Sequence, residues 1–146
     1  AFCRWLTVKK RYEVRLPDEQ EWQWAAQSAR PDFRYPWGPE WRDGVANTSE
    51  SDIHRTTAVG MYPGGASQPP QQVADLAGNV WEWCRNEYAD PRKTGPGGEE
   101  SRVLRGGSWN CGQRRARADA RYFFHPGCRL YYVGFRVVCS SPIADH

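Results

Sequence analysis

At 146 residues the chain has room for about one domain. Twenty Lys and Arg against 17 Asp and Glu leave a formal charge of +3, and eight Trp, seven Tyr and five Phe can build a core where aliphatics are few, which excludes a disordered chain. No stretch approaches the ~20 apolar residues that span a bilayer and the N-terminus lacks the basic-then-apolar order of a signal peptide, so neither anchoring nor export is supported and a cytoplasmic location is expected.

The chain opens on Ala1-Phe2-Cys3-Arg4-Trp5-Leu6 with no starting Met, which reads as a start inside a larger protein. Phe2, Trp5, Leu6 and Lys9 recur at helical spacing and predict the closing turns of an amphipathic helix. After a short basic turn, Asp18 with Glu21 three residues on makes a capping box behind Pro17. Trp22, Ala25, Ala26 and Ala29 then share one face until Pro31 stops the helix. From Pro31 to Pro70, recurring Gly, Pro, Asn and Ser predict long ordered loops pinned by Trp37, Trp41 and Tyr62. Val80 to Arg85 alternates as a strand does, and a Pro- and Gly-rich loop occupies 90–100. Val103-Leu104-Arg105 predicts a strand running into Gly106-Gly107, where a bulge or a close backbone approach is allowed. The last predicted strand is Val133 to Cys139, and the residues between Trp109 and Val133 keep neither period.

Charge and cysteines narrow the chemistry. Residues 101–146 carry eight Arg, only Asp119 and Asp145 against them, and no Lys or Glu. Arg used this consistently points either to stacking and forked hydrogen bonds at a surface or to a structural network against carbonyls and Trp faces. Five Cys at irregular spacing, without a CxxC, make neither a disulfide framework nor a zinc site. Only His54, His125 and His146 are present and none has a Ser, Cys or Asp partner in sequence, so hydrolase chemistry lacks its usual base. An Arg-and-aromatic tail could stack single-stranded nucleic acid, but without Lys or a recognised motif no nucleic-acid partner is expected.

Five motifs then occur in order: Arg15-Leu16-Pro17-Asp18-Glu19-Gln20-Glu21-Trp22, Tyr35-Pro36-Trp37-Gly38, Leu76-Ala77-Gly78-Asn79-Val80-Trp81-Glu82-Trp83, Arg102-Val103-Leu104-Arg105-Gly106-Gly107-Ser108-Trp109 and Gly134-Phe135-Arg136. With these the chain resembles the formylglycine-generating-enzyme (sulfatase-modifying factor) family. The resemblance implies an α+β fold of the divergent C-type lectin type, a twisted antiparallel sheet with two helices and long irregular loops, formed by residues 1–146 as one domain. Family domains carry further strands ahead of the first helix, so the likeness is to their C-terminal part.

The resemblance also supplies expectations for sites. Formylglycine-generating enzymes use two cysteines spaced five apart to bind copper and activate oxygen. Here Cys111 takes the first position and Ala116 the second, so no copper is expected. Asp75, Gly78, Val80 and Glu82 match positions that bind calcium in those enzymes, with hard oxygen ligands suited to Ca²⁺. The alternative, left open by the sequence, is a buried pair of Glu82 with an Arg such as Arg105 or Arg136. Asn47 matches a second calcium position, its acidic partner displaced to Asp52. Cys3 and Cys139 approximate a disulfide pair of secreted members, against which stands a reading as two free thiols. The calcium-ligand triplets of sugar-binding lectins are absent.

The stretch after Trp109 is also similar to the segment rewritten in variable proteins of diversity-generating retroelements, where mutation of template adenines turns an Asn codon into a limited set of residues. Asn110, Cys111, Gly112, Arg114, Arg115, Ala120, Tyr122, Phe123, Phe124, His125, Gly127, Cys128, Leu130, Tyr131 and Tyr132 belong to that set. Ser108, Trp109, Gln113, Arg117, Arg121, Pro126, Arg129, Gly134, Phe135 and Arg136 read as interleaved scaffold. Tyr and Arg suit a binding surface because they give large, rigid contacts at low entropic cost, while the same rings could instead pack beneath the adjoining loops. The expectation is a non-catalytic ligand-binding domain whose segment 110–132 meets a protein ligand, with no membrane partner. The alternatives are a copper- and oxygen-dependent oxidase and a domain with one fixed partner.

Overall fold

The structure is a computed structural model and describes residues 1–139; Asp145 and His146 lie outside the described residues. Helix α1 (Phe2–Lys10) ends at Arg11 in the left-handed region, with Lys9 and Lys10 at its negative dipole end. None of its residues is fully buried. It is tied to strand β1 (Val14–Arg15) through Thr7, whose hydroxyl donates to the Val14 carbonyl at 3.1 Å and accepts the Val14 N–H at 2.9 Å.

Helix α2 (Glu19–Gln27) starts as its sequence predicts. The Glu21 N–H donates to the Asp18 carboxylate at 2.8 Å and the Asp18 N–H to Glu21 at 2.9 Å, satisfying two N-terminal donors reciprocally. Arg15 closes the same corner with two 2.6 Å hydrogen bonds to Glu21, and that bonding holds the Glu21 carboxyl below its usual range despite partial burial. The helix ends earlier than Pro31, because Ser28 and Ala29 both turn left-handed. Trp22 and Ala26 form its buried face and meet Leu76, Cys84, Val103 and Ala118 in the main core. A second core gathers Tyr35, Trp37, Ala46, Ala77 and Ala116 under the long loops. There Tyr35 stacks on Trp37 at 5.4 Å and the Trp41 edge meets both; Tyr62, expected as a third pin, is only half-buried, and Tyr35 takes that place.

The main sheet runs β4-β3-β2-β5, built from β2 (Trp81–Glu87), β3 (Arg102–Arg105), β4 (Tyr122–Phe124) and β5 (Val133–Gly134). β2 and β3 pair antiparallel, as do β3 and β4, but β5 lies parallel to β2, so the sheet is mixed and not antiparallel throughout. The cause is connectivity: residues 125–132 carry the chain from one edge of the sheet to the other. The predicted strand 133–139 is two strands. After β5 the chain leaves the sheet, and β6 (Val138–Cys139) pairs antiparallel with β1. Cys3 and Cys139 are both free thiols. Among the described residues no helix is long and apolar enough to cross a membrane.

The break in that strand is made by Arg136. Its guanidinium reaches Glu82 with bonds of 2.5 and 2.7 Å and donates to the carbonyls of Ala74 and Asp75, each at 3.1 Å. Trp22 Nε1 donates to the same Glu82 carboxylate at 2.6 Å. Burial works against the Arg136 charge, but Glu82 outweighs it and holds the guanidinium above its usual range. Glu82→Ala leaves that cation without its counter-charge and the indole N–H without its acceptor. The expected loss is about 3–5 kcal/mol in urea unfolding, with Glu82→Gln intermediate because it keeps an acceptor for one of the two.

Candidate ligand-binding face

β3 is buried along its length and delivers Gly106 and Gly107, both at positive φ, to the start of the aperiodic segment. Gly107 has φ +73, and a Cβ there would meet the Arg115 carbonyl oxygen at 2.9 Å, so only glycine lets the two backbones pass. From this point the main chain is held by bonds that do not depend on the candidate side chains. The Trp109 N–H donates to the Asn79 carbonyl at 3.0 Å, the Ser49 N–H to the Cys111 carbonyl at 3.0 Å, the Ala118 N–H to the Arg34 carbonyl at 2.7 Å and the Trp81 N–H to the Tyr132 carbonyl at 2.9 Å. The Gln113 N–H donates to the Glu50 carboxylate at 2.8 Å. Burial works against the Glu50 charge, but this bond and its neighbours keep the carboxyl below its usual range. Gly78, at φ +77, is the matching constraint below: a Cβ would lie 2.2 Å from the Asn47 carbonyl oxygen.

Side chains divide along the same line. Ser108, Ala116 and Ala118 are fully buried, and Arg121 makes a forked pair with buried Glu19 at 2.7 and 3.0 Å. None of the fifteen candidate binding residues is buried: Asn110, Arg114, Arg115, Phe123, His125, Gly127 and Tyr131 are exposed and the other eight half-buried. Two residues expected as scaffold are instead exposed. Phe135 is 49% exposed, with the Phe2 ring at 5.5 Å, so the buried hydrogen-bonded anchor at this end is Arg136. Arg129 donates to the carbonyls of Pro126 and Cys128 and meets no carboxylate among the described residues. Ala116, Ala118, Ser49 and Glu50 were not anticipated as scaffold; small residues in an aperiodic stretch and acceptors distant in sequence leave no local pattern.

The rings form one connected chain. Trp109 stacks on Tyr131 (5.9 Å), Tyr131 meets Tyr132 edge-on (5.2 Å), Tyr132 tilts onto Phe124 (6.4 Å), Phe124 meets Tyr122 edge-on (5.3 Å), and Tyr122 stacks on buried Trp81 (5.4 Å). Arg115 lies over the Tyr122 ring at 5.0 Å. Phe123 alternates to the other side of β4, against Tyr88 at 4.6 Å with Arg121 over Tyr88, also at 4.6 Å. The aromatics are thus neither core nor isolated contacts. Tyr131 is 75% exposed, and Tyr122, Phe124 and Tyr132 are half-buried against one another. Tyr132 is held above its usual phenol range, first by burial and then by Tyr131, Tyr122, Cys111 and Cys128.

The comparisons agree with this architecture. Residues 1–141 match the family described as the sulfatase-modifying factor enzyme 1-like domain. The chain belongs to the sulfatase-modifying factor family. It is 31% identical to the inactive C-alpha-formylglycine-generating enzyme 2 of Mus musculus, covering 97% of this chain and 46% of that protein. It is 34% identical to the formylglycine-generating enzyme of Streptomyces coelicolor, over 99% of this chain and 51% of that one. Among solved structures, Treponema denticola variable protein 1 superimposes with a TM-score of 0.72 at 30% identity, covering 88% of this chain and 48% of that protein. The chain therefore spans about half the length of these relatives. The C-type-lectin-like α+β fold expected from the motifs is the fold of this match.

In this family frame the metal positions can be tested for fit. Glu82 has both oxygens engaged by Arg136 and Trp22, and the guanidinium already supplies the positive charge beside that carboxylate. Asp75 turns its carboxylate to the Gly60 N–H at 2.6 Å, and its carbonyl serves Arg136. Asp75, Gly78, Val80 and Glu82 therefore do not fit a shared Ca²⁺; the pairing with Arg136 takes its place. Asn47 is buried and spends its side chain on Ser51, Arg55, Thr57 and Asn79, while exposed Asp52 pairs with His54 at 2.8 Å. At the cysteine positions, the Cys111 sulfur lies 3.3 Å from the Ser108 hydroxyl and Ala116 presents only a buried methyl group. Among the described residues no three His, Cys, Asp or Glu side chains converge on a metal-sized site.

Two outcomes follow from this geometry. Tyr131→Ala changes unfolding free energy by about 0.5 kcal/mol or less, as at exposed sites generally, whereas Gly107→Ala costs at least about 2 kcal/mol through the clash and the positive φ; denaturant melts of the two variants separate them. Replacing a chelator by millimolar Ca²⁺ leaves the melting temperature unchanged, since a ligand that binds only the folded state would raise it.

Proposed function

We propose that this chain is a non-catalytic ligand-binding domain whose face is the segment 110–132 and whose ligand is a protein. The observation that carries the reading is the division within that segment. Its main chain is fixed by buried residues and backbone bonds, while every side chain proposed for contact stays at least partly exposed. Such a segment can change its contact residues without changing its fold, which is the requirement for a diversified binding surface of the retroelement type. The likeness to a protein named as variable, and to one named as an inactive formylglycine-generating enzyme, supports the same direction. The contact set is drawn from Asn110, Cys111, Gly112, Arg114, Arg115, Ala120, Tyr122, Phe123, Phe124, His125, Gly127, Cys128, Leu130, Tyr131 and Tyr132.

A formylglycine-type oxidase is the second reading, favoured by the named enzyme among the relatives. It needs a second soft ligand beside Cys111, and the position that would supply it is Ala116. Sequencing codons 102–139 across many cells or close isolates, together with nearby DNA, decides the first reading. Substitutions confined to the exposed and half-buried positions, and to adenines of a second, Asn-rich copy, are expected. An invariant segment without such a copy would remove diversification and leave a fixed-partner domain or an oxidase, the latter read by copper-dependent oxygen uptake with a cysteine-containing peptide.

A further inference from the structure

The eight Arg of the C-terminal third do two different jobs. Arg102 donates to the carbonyls of Arg85 and Gly97, Arg105 to Gln23 and the Ala118 carbonyl, Arg117 pairs with Asp119, Arg121 with Glu19 and Arg136 with Glu82. These five are consumed by the fold. Arg114, Arg115 and Arg129 are exposed and meet no carboxylate among the described residues. All three belong to the segment that carries the ring chain, and the only acid between residues 108 and 132, Asp119, is already paired.

The rings reinforce that sign. An aromatic face is negative and its edge positive. In this chain several faces are turned on neighbours: Tyr122 stacks on Trp81 and Phe123 with Arg115 over its ring, and Trp109 stacks on Tyr131. The edge-on contacts of Tyr131 with Tyr132 (88°) and of Phe124 with Tyr122 (81°) use further faces. Left open to a ligand are the uncovered side of Tyr131, which is 75% exposed, ring edges, and the hydroxyls of Tyr122, Tyr131 and Tyr132, which make no hydrogen bond to the described residues. Edges, phenol O–H groups and unpaired guanidinium groups all favour anionic oxygen, and Arg favours it in the planar, forked form of a carboxylate.

Resting on the reading of 110–132 as a protein-binding face, we infer that the partner surface is acidic, presenting Asp or Glu carboxylates to Arg114, Arg115 and Arg129 around an apolar side chain seated on Tyr131. A single-stranded nucleic acid fits less well. Base stacking needs a row of open ring faces and a cationic track along the backbone, whereas most rings of this chain are turned on one another, Tyr131 alone being widely open among them, and three guanidinium groups make no track. The acidic surface also fits the balance of attraction and docking, with charge guiding encounter and register and the exposed ring giving the buried contact.

The test is a selection of randomised peptides displayed on phage against the immobilised full chain, with oligo(dT) as a competitor. Melting curves confirm that Arg114→Ser/Arg115→Ser/Arg129→Ser and Tyr131→Ala remain folded. The expected result is enrichment of peptides rich in Asp and Glu with an apolar residue, whose affinity falls at least about tenfold in the triple variant and weakens as salt is raised above ~0.15 M, and falls as well in Tyr131→Ala. Peptides of neutral or basic composition that are lost in Tyr131→Ala but bind the triple variant normally would overturn the acidic partner while leaving the face in place. Peptides insensitive to both variants would overturn both readings. Displacement of the selected peptides by oligo(dT) at comparable concentration would overturn the choice of protein over nucleic acid.

Discussion

A single buried carboxylate organises this molecule. Glu82 sits on the central strand β2 with its two oxygens shared between the Trp22 indole N–H and the Arg136 guanidinium. Those three residues belong to α2, β2 and the chain beyond β5, and the remaining Arg136 donors reach the turn at Ala74 and Asp75. An unpaired carboxylate at this depth would be costly, as would an unpaired guanidinium; each is tolerated because the other is there. The same contact ends the last strand of the main sheet. Continuing β5 in regular register would carry Arg136 along the sheet edge, so the chain leaves after Gly134 and resumes as β6 against β1.

The exit of the ring-bearing segment is thereby fixed by charge, and its entry by sterics. Gly107 passes the Arg115 backbone, Trp109 is bonded to Asn79, and Ser49 with Glu50 grips the main chain at 111 and 113. Nearly all of this restraint is paid in main-chain hydrogen bonds and a few small buried residues. The rings add edge and stacking contacts of about 0.5–1.5 kcal/mol each beyond burial, enough to order the surface without being indispensable to the core. Trp81 marks the boundary: it is buried, packs beneath Tyr122 and lies outside the segment.

What the sequence made legible follows from which interactions are local. The capping box at Asp18 and Glu21, the buried face of Trp22 and Ala26 and the alternation of β2 are written within a few residues of each other, and each was read correctly. β4 was not. Tyr122, Phe123 and Phe124 owe their strand to pairing with Val103 and its neighbours, nearly twenty residues upstream, and partial exposure on both sides erases the alternation. The break at Arg136 depends on a partner 54 residues away, so a run of β-branched and aromatic residues looked like one strand. The Gly134-Phe135-Arg136 motif marks Phe135 and Arg136 alike as scaffold, but only the guanidinium is bonded into the core and Phe135 stays half exposed. The open choice between a structural and a displayed use of Arg resolves by residue and not by block: five are bound into the fold and three are exposed and meet no carboxylate among the described residues.

Catalysis and diversification make opposite demands on the same stretch of chain. An oxidase in this fold needs particular soft ligands held to a narrow geometry, so the residues at the two cysteine positions cannot vary and the frame must aim them. A binding face needs positions whose identity does not matter to the frame. In this chain the first cysteine position is half-exposed within the ring-bearing segment, and the second is a methyl group in the second core with Tyr35 and Trp37. The methyl joins the restraint that holds the segment's main chain, and Cys111 becomes one of the side chains that restraint leaves exposed. The frame thus separates the two positions, giving Ala116 to the core and leaving Cys111 half-buried on the ring-bearing segment.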